Sequence, residues 1–220
     1  MKKFAVVLSG CGVFDGAEIH EATLTLLAIA QAGATYEIFA PDIDQHHVIN
    51  HYTHKEMAEK RNVLVESARI ARGRISPLSK FDERHFDAII FPGGFGAAKN
   101  LSTVAFDGPE AKVNPDVEAA VKAMHRAGKP IGALCIAPAV IARILGGVEV
   151  TIGNDPGTIG AIRKMGGKHV ETTHGEVVAD KKNKIFSTPC YMLDATIVDI
   201  YHGATRIVHE MLNFECGKFL

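Results

Sequence analysis

The chain has 220 residues, 47% of them hydrophobic, and a formal net charge of −1 from 24 basic and 25 acidic residues. That suffices for one large α/β domain with a sizeable core, and interspersed charge of both signs leaves no footprint for nucleic acid or an anionic membrane surface. No apolar run reaches the ~20 residues of a membrane span. The four cysteines, Cys11, Cys135, Cys190 and Cys216, share no CxxC spacing, so neither a zinc knuckle nor a disulfide framework is signalled, and a reducing, cytoplasmic compartment is expected.

Met1 to Leu8 is too short an apolar run for a signal peptide, and a buried first strand is expected over Lys3 to Ser9. Ser9-Gly-Cys-Gly-Val-Phe-Asp-Gly16 is a glycine-rich loop whose spacing does not make GxGxxG. Glu18 to Ala32 reads as an amphipathic helix, with Ile19, Leu24, Leu27 and Ile29 among its apolar positions and Gly33 as its stop. Thr35 to Ala40 is a second strand ended by Pro41-Asp42. This βαβ start predicts an α/β fold on a parallel sheet. Residues 42–80 read as an insertion in a single domain spanning 1–220. His46, His47, His51 and His54 cluster there, but no cysteine or carboxylate completes a ligand set, so a solvated loop is expected and no metal. Asn62 to Arg74 predicts a helix with Val63, Leu64, Ala68 and Ile70 inward.

Phe86 to Phe91 is the next strand. It runs into Pro92-Gly-Gly-Phe-Gly-Ala-Ala-Lys-Asn100, where glycines let backbone N–H groups approach a ligand as an anion or oxyanion cradle. Pro115 to Ala127 is a helix closed by Gly128. Lys129 to Leu145 then reads as strand, sharp turn and helix, with Cys135 on the turn, the layout of a nucleophile elbow. A sulfur near a helix N-terminus is expected to favour thiolate; the competing reading is a small buried hydrophobe. The Pro92–Asn100 loop and the elbow follow neighbouring strands and face one crevice. Val148 to Ile152 is a strand and Gly160 to Met165 a short helix. His169 to Glu171, Val177 to Ala179 and Lys184 to Ser187 are short late strands, partly antiparallel. Leu193 to Leu212 is a closing helix.

Five stretches then coincide: Ser9 to Glu21 with its Asp-Gly-Ala-Glu-Ile-His pattern, Pro92 to Leu101, Cys135-Ile-Ala-Pro138, Thr151-Ile-Gly153 and Thr188-Pro-Cys-Tyr-Met192. Over nearly its full length the chain resembles the ElbB family, glyoxalase-like proteins of the PfpI and class I glutamine amidotransferase-like superfamily. The resemblance implies a flavodoxin-like doubly wound sheet, a homodimer, and a cofactor-free glyoxalase turning glyoxal into glycolate without glutathione. It also implies Cys135 as nucleophile, Glu18 as the carboxyl that contacts it and serves as acid/base with a pKa raised by burial, and Gly94 and Ile136 as oxyanion-hole amides. Cys11, Gly93 and His174 are candidate pocket residues. His20 and Glu21 point away from Glu18 and are read as structural; Cys190 and Cys216 as ordinary. Thr151 to Asp155 lacks the histidine that many superfamily members carry there, and no His-Pro-Glu-like segment follows, which argues against ammonia release from glutamine. Two other readings stand beside the glyoxalase: a redox- or ligand-sensing module built on a reactive cysteine, and a cysteine hydrolase, which lacks a nameable base.

Overall fold

In a computed structural model, which describes residues 1–214, the chain opens with β1 (Lys3–Val7), α1 (Ile19–Gln31) and β2 (Thr35–Ala40). Residues 42–80 hold a small hairpin, β3 (Ile49–Asn50) with β4 (Lys55–Glu56), then α2 (Val63–Ile70) and β5 (Ser76–Pro77). Next come β6 (Ala88–Phe91), the short helices α3 (Phe95–Lys99) and α4 (Val104–Asp107), α5 (Pro115–Arg126), β7 (Ile131–Leu134) and α6 (Ala137–Leu145). The chain continues through β8 (Glu149–Val150), α7 (Pro156–Lys164), β9 (Lys168–His169), β10 (Val178–Asp180), β11 (Ile185–Thr188) and α8 (Ile197–Phe214). Cys216 lies outside the described residues.

The main sheet has the order β10-β11-β7-β6-β1-β2-β5, and β10 is its antiparallel strand. Taken in order of appearance, β1, β2, β6, β7 and β11 stand 2-1-3-4-5, the flavodoxin-like doubly wound arrangement. The order reverses beside β1 and β6, so the crevice opens at their carboxyl ends. Strand alternation builds two cores. Ala5, Val7, Ile89, Phe91, Ile131 and Ala133 face the layer of α3, α5, α6 and α7; Phe4, Val6, Ala88, Ile90 and Leu134 face α1 and α8. Gly132 lets α8 settle on the sheet, because a Cβ there would meet the Met211 sulfur and the Ile90 side chain.

Several elements differ from the sequence reading for local reasons. The inward face of α1 is Glu21, Ala22, Thr25, Leu26, Ala28 and Ile29, whereas Ile19 and Leu27 are 44% and 42% exposed. α2 buries Glu66 and Ser67 with Val63; Leu64, Ala68 and Ile70 are half-buried. α7 starts earlier than expected, because the Asp155 carboxylate accepts the Thr158 N–H at 2.7 Å and Pro156 follows it. α8 starts later, where Thr196 and Asp199 cap each other. β8 and β9 pair in parallel as a separate two-stranded sheet.

Candidate active site

Strand alternation would send the residue after Leu134 to the α6 face of the sheet. Cys135 instead has φ +60°, and this left-handed turn returns its side chain to the α1/α8 core beside Leu134. The turn is pinned by the Cys135 N–H donating to the Thr188 carbonyl at 3.0 Å. Ile136 caps α6, with Pro138 in the first turn, where a missing N–H leaves no intrahelical bond unmade. The N–H groups of Gly94 and Ile136 both hydrogen-bond the Cys135 sulfur. Gly94 reaches it with φ +91°, and a Cβ there would collide with the Glu18 nitrogen and the Gly16 carbonyl oxygen. Gly94→Ala is therefore expected to cost about 3 kcal/mol or more, combining backbone strain and overpacking. Thermal melts check this; a Tm within about 2 °C of wild type, the effect of less than about 1 kcal/mol, removes the close-approach argument.

Two glycine loops are laced together beneath this point. Phe95 and Gly96 N–H donate to the Val13 and Gly16 carbonyls, and Glu18 N–H to the Gly93 carbonyl. Asn100 donates to the Ser9 and Asp15 carbonyls and accepts the His46 N–H, while the buried Asp15 carboxylate accepts the Ile49 N–H at 2.6 Å. The conspicuous Asp15 and Asn100 of the two motifs thus tie the loops to the insertion.

The carboxyl facing the thiol is Glu21, not Glu18. Glu21 is fully buried and hydrogen-bonded to the Cys135 side chain. Its Oε2 accepts the Gly93 N–H at 2.9 Å and its Oε1 the Tyr191 N–H at 3.3 Å. Burial, then the neighbouring Glu18 charge, pushes its pKa up to about 8. Glu18 instead serves as the N-cap of α1, where its Oε2 accepts the Glu21 N–H at 2.7 Å. The two carboxyls stand about one helical turn apart in the chain. Glu18 precedes the first turn, whereas Glu21 shares the buried stripe with Ala22, Thr25 and Ala28.

The expected low-pKa thiolate is also corrected. Burial, and next the Glu21 charge, holds the Cys135 thiol well above its ordinary value, outweighing the amides of Gly94 and Ile136. The resting site is a neutral thiol beside a carboxyl that titrates near pH 8. Cys190, read as ordinary, lies at φ +45° on the turn after β11, and burial, then the Glu21 charge, opposes its ionisation. The register that pairs Thr188 with Leu134 brings this turn to the elbow; Thr188-Pro-Cys-Tyr-Met192 is conspicuous as a motif, but its place beside Cys135 follows from strand pairing.

The remaining candidates make their contacts with other groups. Cys11 is half-buried toward the insertion, facing Glu66, Arg69 and Asp15. His174 is exposed and its Nε2 is held by the Asp194 carbonyl at 2.9 Å. The insertion's histidines divide between two aromatic clusters, His46 and His47 around Phe106, His51 and His54 around Phe14.

Residues 11–188 match the DJ-1/PfpI family. The chain is 48% identical over 220 residues to human "glutamine amidotransferase-like class 1 domain-containing protein 3, mitochondrial", covering 96% of this chain and 82% of that protein. It resembles the crystal structure of the isoprenoid biosynthesis protein with amidotransferase-like domain from Ehrlichia chaffeensis with TM-score 0.92 at 39% identity, over 98% of this chain and 100% of that one. Glyoxalase III from Candida albicans shares the fold, with TM-score 0.62 at 13% identity over 97% of each chain. The human relative and its rat and zebrafish counterparts are all named mitochondrial, which overturns the expected cytoplasmic compartment. Unpaired cysteines argue only against the oxidising compartments and do not choose among the reducing ones.

Proposed function

Because the chain belongs to the DJ-1/PfpI family, we propose that it is a cysteine enzyme of small 1,2-dicarbonyls, converting glyoxal and water to glycolate without glutathione or another cofactor. One observation carries this reading: a thiol, a carboxyl whose pKa is pushed up to about 8 and two backbone N–H groups converge at the carboxyl edge of the sheet. Ionised Glu21 takes the Cys135 proton as sulfur bonds to one aldehyde carbon, and the Gly94 and Ile136 amides hold the resulting oxyanion. Glu21 returns that proton to the oxygen, giving a hemithioacetal. It then removes the hydrogen from the sulfur-bearing carbon while the second carbonyl oxygen is protonated, which gives an enediol. Protonation of the far carbon and loss of the hydroxyl proton at the first leave a thioester of glycolate. Water cleaves it, restoring the thiol.

A thiol held neutral by burial but set against a carboxyl that can take its proton suits turnover better than redox sensing, in which the thiol itself must stand ionised and exposed. A homodimer and a mitochondrial setting, the latter carried over from the relatives' names, complete the proposal. The test is glycolate formation from glyoxal by purified protein, with no glutathione and no added metal, beside Cys135→Ala. Wild type forms glycolate, with a rate that climbs as pH rises through about 8, where Glu21 ionises; the variant falls to background. Equal rates in the two proteins sink the reading.

A further inference from the structure

Glu21 is held from two directions. The Gly93 N–H approaches from the loop after β6, and the Tyr191 N–H approaches at 3.3 Å from the turn after β11. The second contact is the longer, and it comes from a turn whose preceding residue, Cys190, is strained at φ +45°. Something must keep that turn on the carboxylate. The Tyr191 hydroxyl is 2.8 Å from His20 Nδ1, with the ring centroids 5.9 Å apart. His20 immediately precedes Glu21 on α1. The contacts therefore close a ring: Glu21 carboxylate to Tyr191 N–H, along the Tyr191 side chain to its hydroxyl, to the His20 ring, and back through one peptide unit to Glu21.

An exposed hydrogen bond of this kind contributes little to global stability, but this one ties the helix carrying the carboxyl to the turn that donates to it. We infer that the His20–Tyr191 hydrogen bond is a clamp that positions the Glu21 carboxyl against Cys135. His20 and Tyr191 are thus positioning residues rather than bystanders on the rim. The inference rests on the reading of Glu21 as the site's acid/base, but its test reads the thiol directly. The groups that face Glu21 are Glu18 ahead of its own helix, Cys135 on the elbow, Cys190 and Tyr191 on the turn, and the Gly93 N–H.

Opening the clamp withdraws one N–H donor from the carboxylate, so Glu21 keeps its proton to higher pH. The charge that opposes thiolate formation on Cys135 then arrives later, and the two groups titrate as a unit. The experiment follows the pH dependence of Cys135 alkylation by iodoacetamide, read on the Cys135 peptide by mass spectrometry. The proteins are wild type, Tyr191→Phe, His20→Ala, the double variant and His20→Asn, whose amide stands where Nδ1 does. Tyr191→Phe and His20→Ala are expected to alkylate about two- to fivefold faster than wild type at and just above pH 8. The double variant goes no further than either single one, and His20→Asn stays near wild type. Unchanged single variants, effects that add in the double variant, or acceleration in His20→Asn equal to that in His20→Ala each overturn the clamp. Glyoxal turnover is measured alongside. If wild type has none, the glyoxalase reading fails and the alkylation profile still decides the clamp. If it has some, kcat falls in both single variants while alkylation accelerates. A loss of rate in both assays overturns the clamp as a general loosening of the site.

Discussion

Glu21→Gln lowers glyoxal turnover at pH 8 by about 10²–10⁴-fold, the range expected on losing a general acid/base. Glu18→Gln behaves differently. Its amide oxygen still accepts the Glu21 N–H, so the N-cap of α1 is kept and only the charge at the helix N-terminus is lost, at a stability cost of less than about 1 kcal/mol. It also removes the like charge that, after burial, most raises the Glu21 pKa. The pH at which the rate climbs therefore moves down in Glu18→Gln, because Glu21 ionises more easily, and the plateau rate is retained. Full pH–rate profiles of the two variants separate the roles. The opposite pattern, with Glu18→Gln dead and Glu21→Gln active, returns the chemistry to Glu18.

The same buried carboxyl makes stability depend on pH in a direction opposite to that of most carboxylates. In the unfolded chain Glu21 releases its proton near its ordinary value of 4.5; in the folded chain it holds the proton to about 8. Between these values the native state binds a proton that the unfolded state has released, so raising the pH favours unfolding. The contribution is fully present below about 4.5 and lost as pH rises through about 8. The glutamine side chain of Glu21→Gln does not titrate. It has one amide oxygen to offer where Gly93 and Tyr191 both donate, so a pH-independent penalty is expected. The useful quantity is therefore the stability difference between variant and wild type, in which all other titrating groups cancel. It moves in the variant's favour by a few kcal/mol between roughly pH 5 and pH 9, given about 1.4 kcal/mol for each pH unit of displacement. Urea melts across that range check it. A difference that does not change with pH shows that Glu21 is not a protonated buried acid.

The parts of the site legible in the sequence are those where backbone geometry restricts residue type. Gly94 at φ +91° admits no side chain, and its neighbour Gly93 lies against both the Cys135 Cβ and a Glu21 oxygen. The elbow around Cys135 is written in the small residues beside it, and the βαβ opening in hydrophobic runs separated by Gly33 and Pro41-Asp42. A signal for Glu21 is present too: a carboxylate on the helix stripe that also holds Ala22, Thr25 and Ala28. Taking Ile19 and Leu27 as part of the apolar face hides it, because both are exposed.

Hydrophobic periodicity thus predicts the α/β class on a parallel sheet, and backbone angles that few residues tolerate mark the two glycine loops and the place of the cysteine; the doubly wound order is implied only by the resemblance of the motifs to a known family. Tertiary structure alone decided which carboxyl meets the thiol, that the turn bearing Cys190 and Tyr191 closes over it, and that the thiol rests protonated. The first two depend on the pairing of β11 with β7 and the seating of α1 against α8. The third depends on desolvation by both layers and on the charge of a residue brought from another element, and no window of sequence contains either quantity.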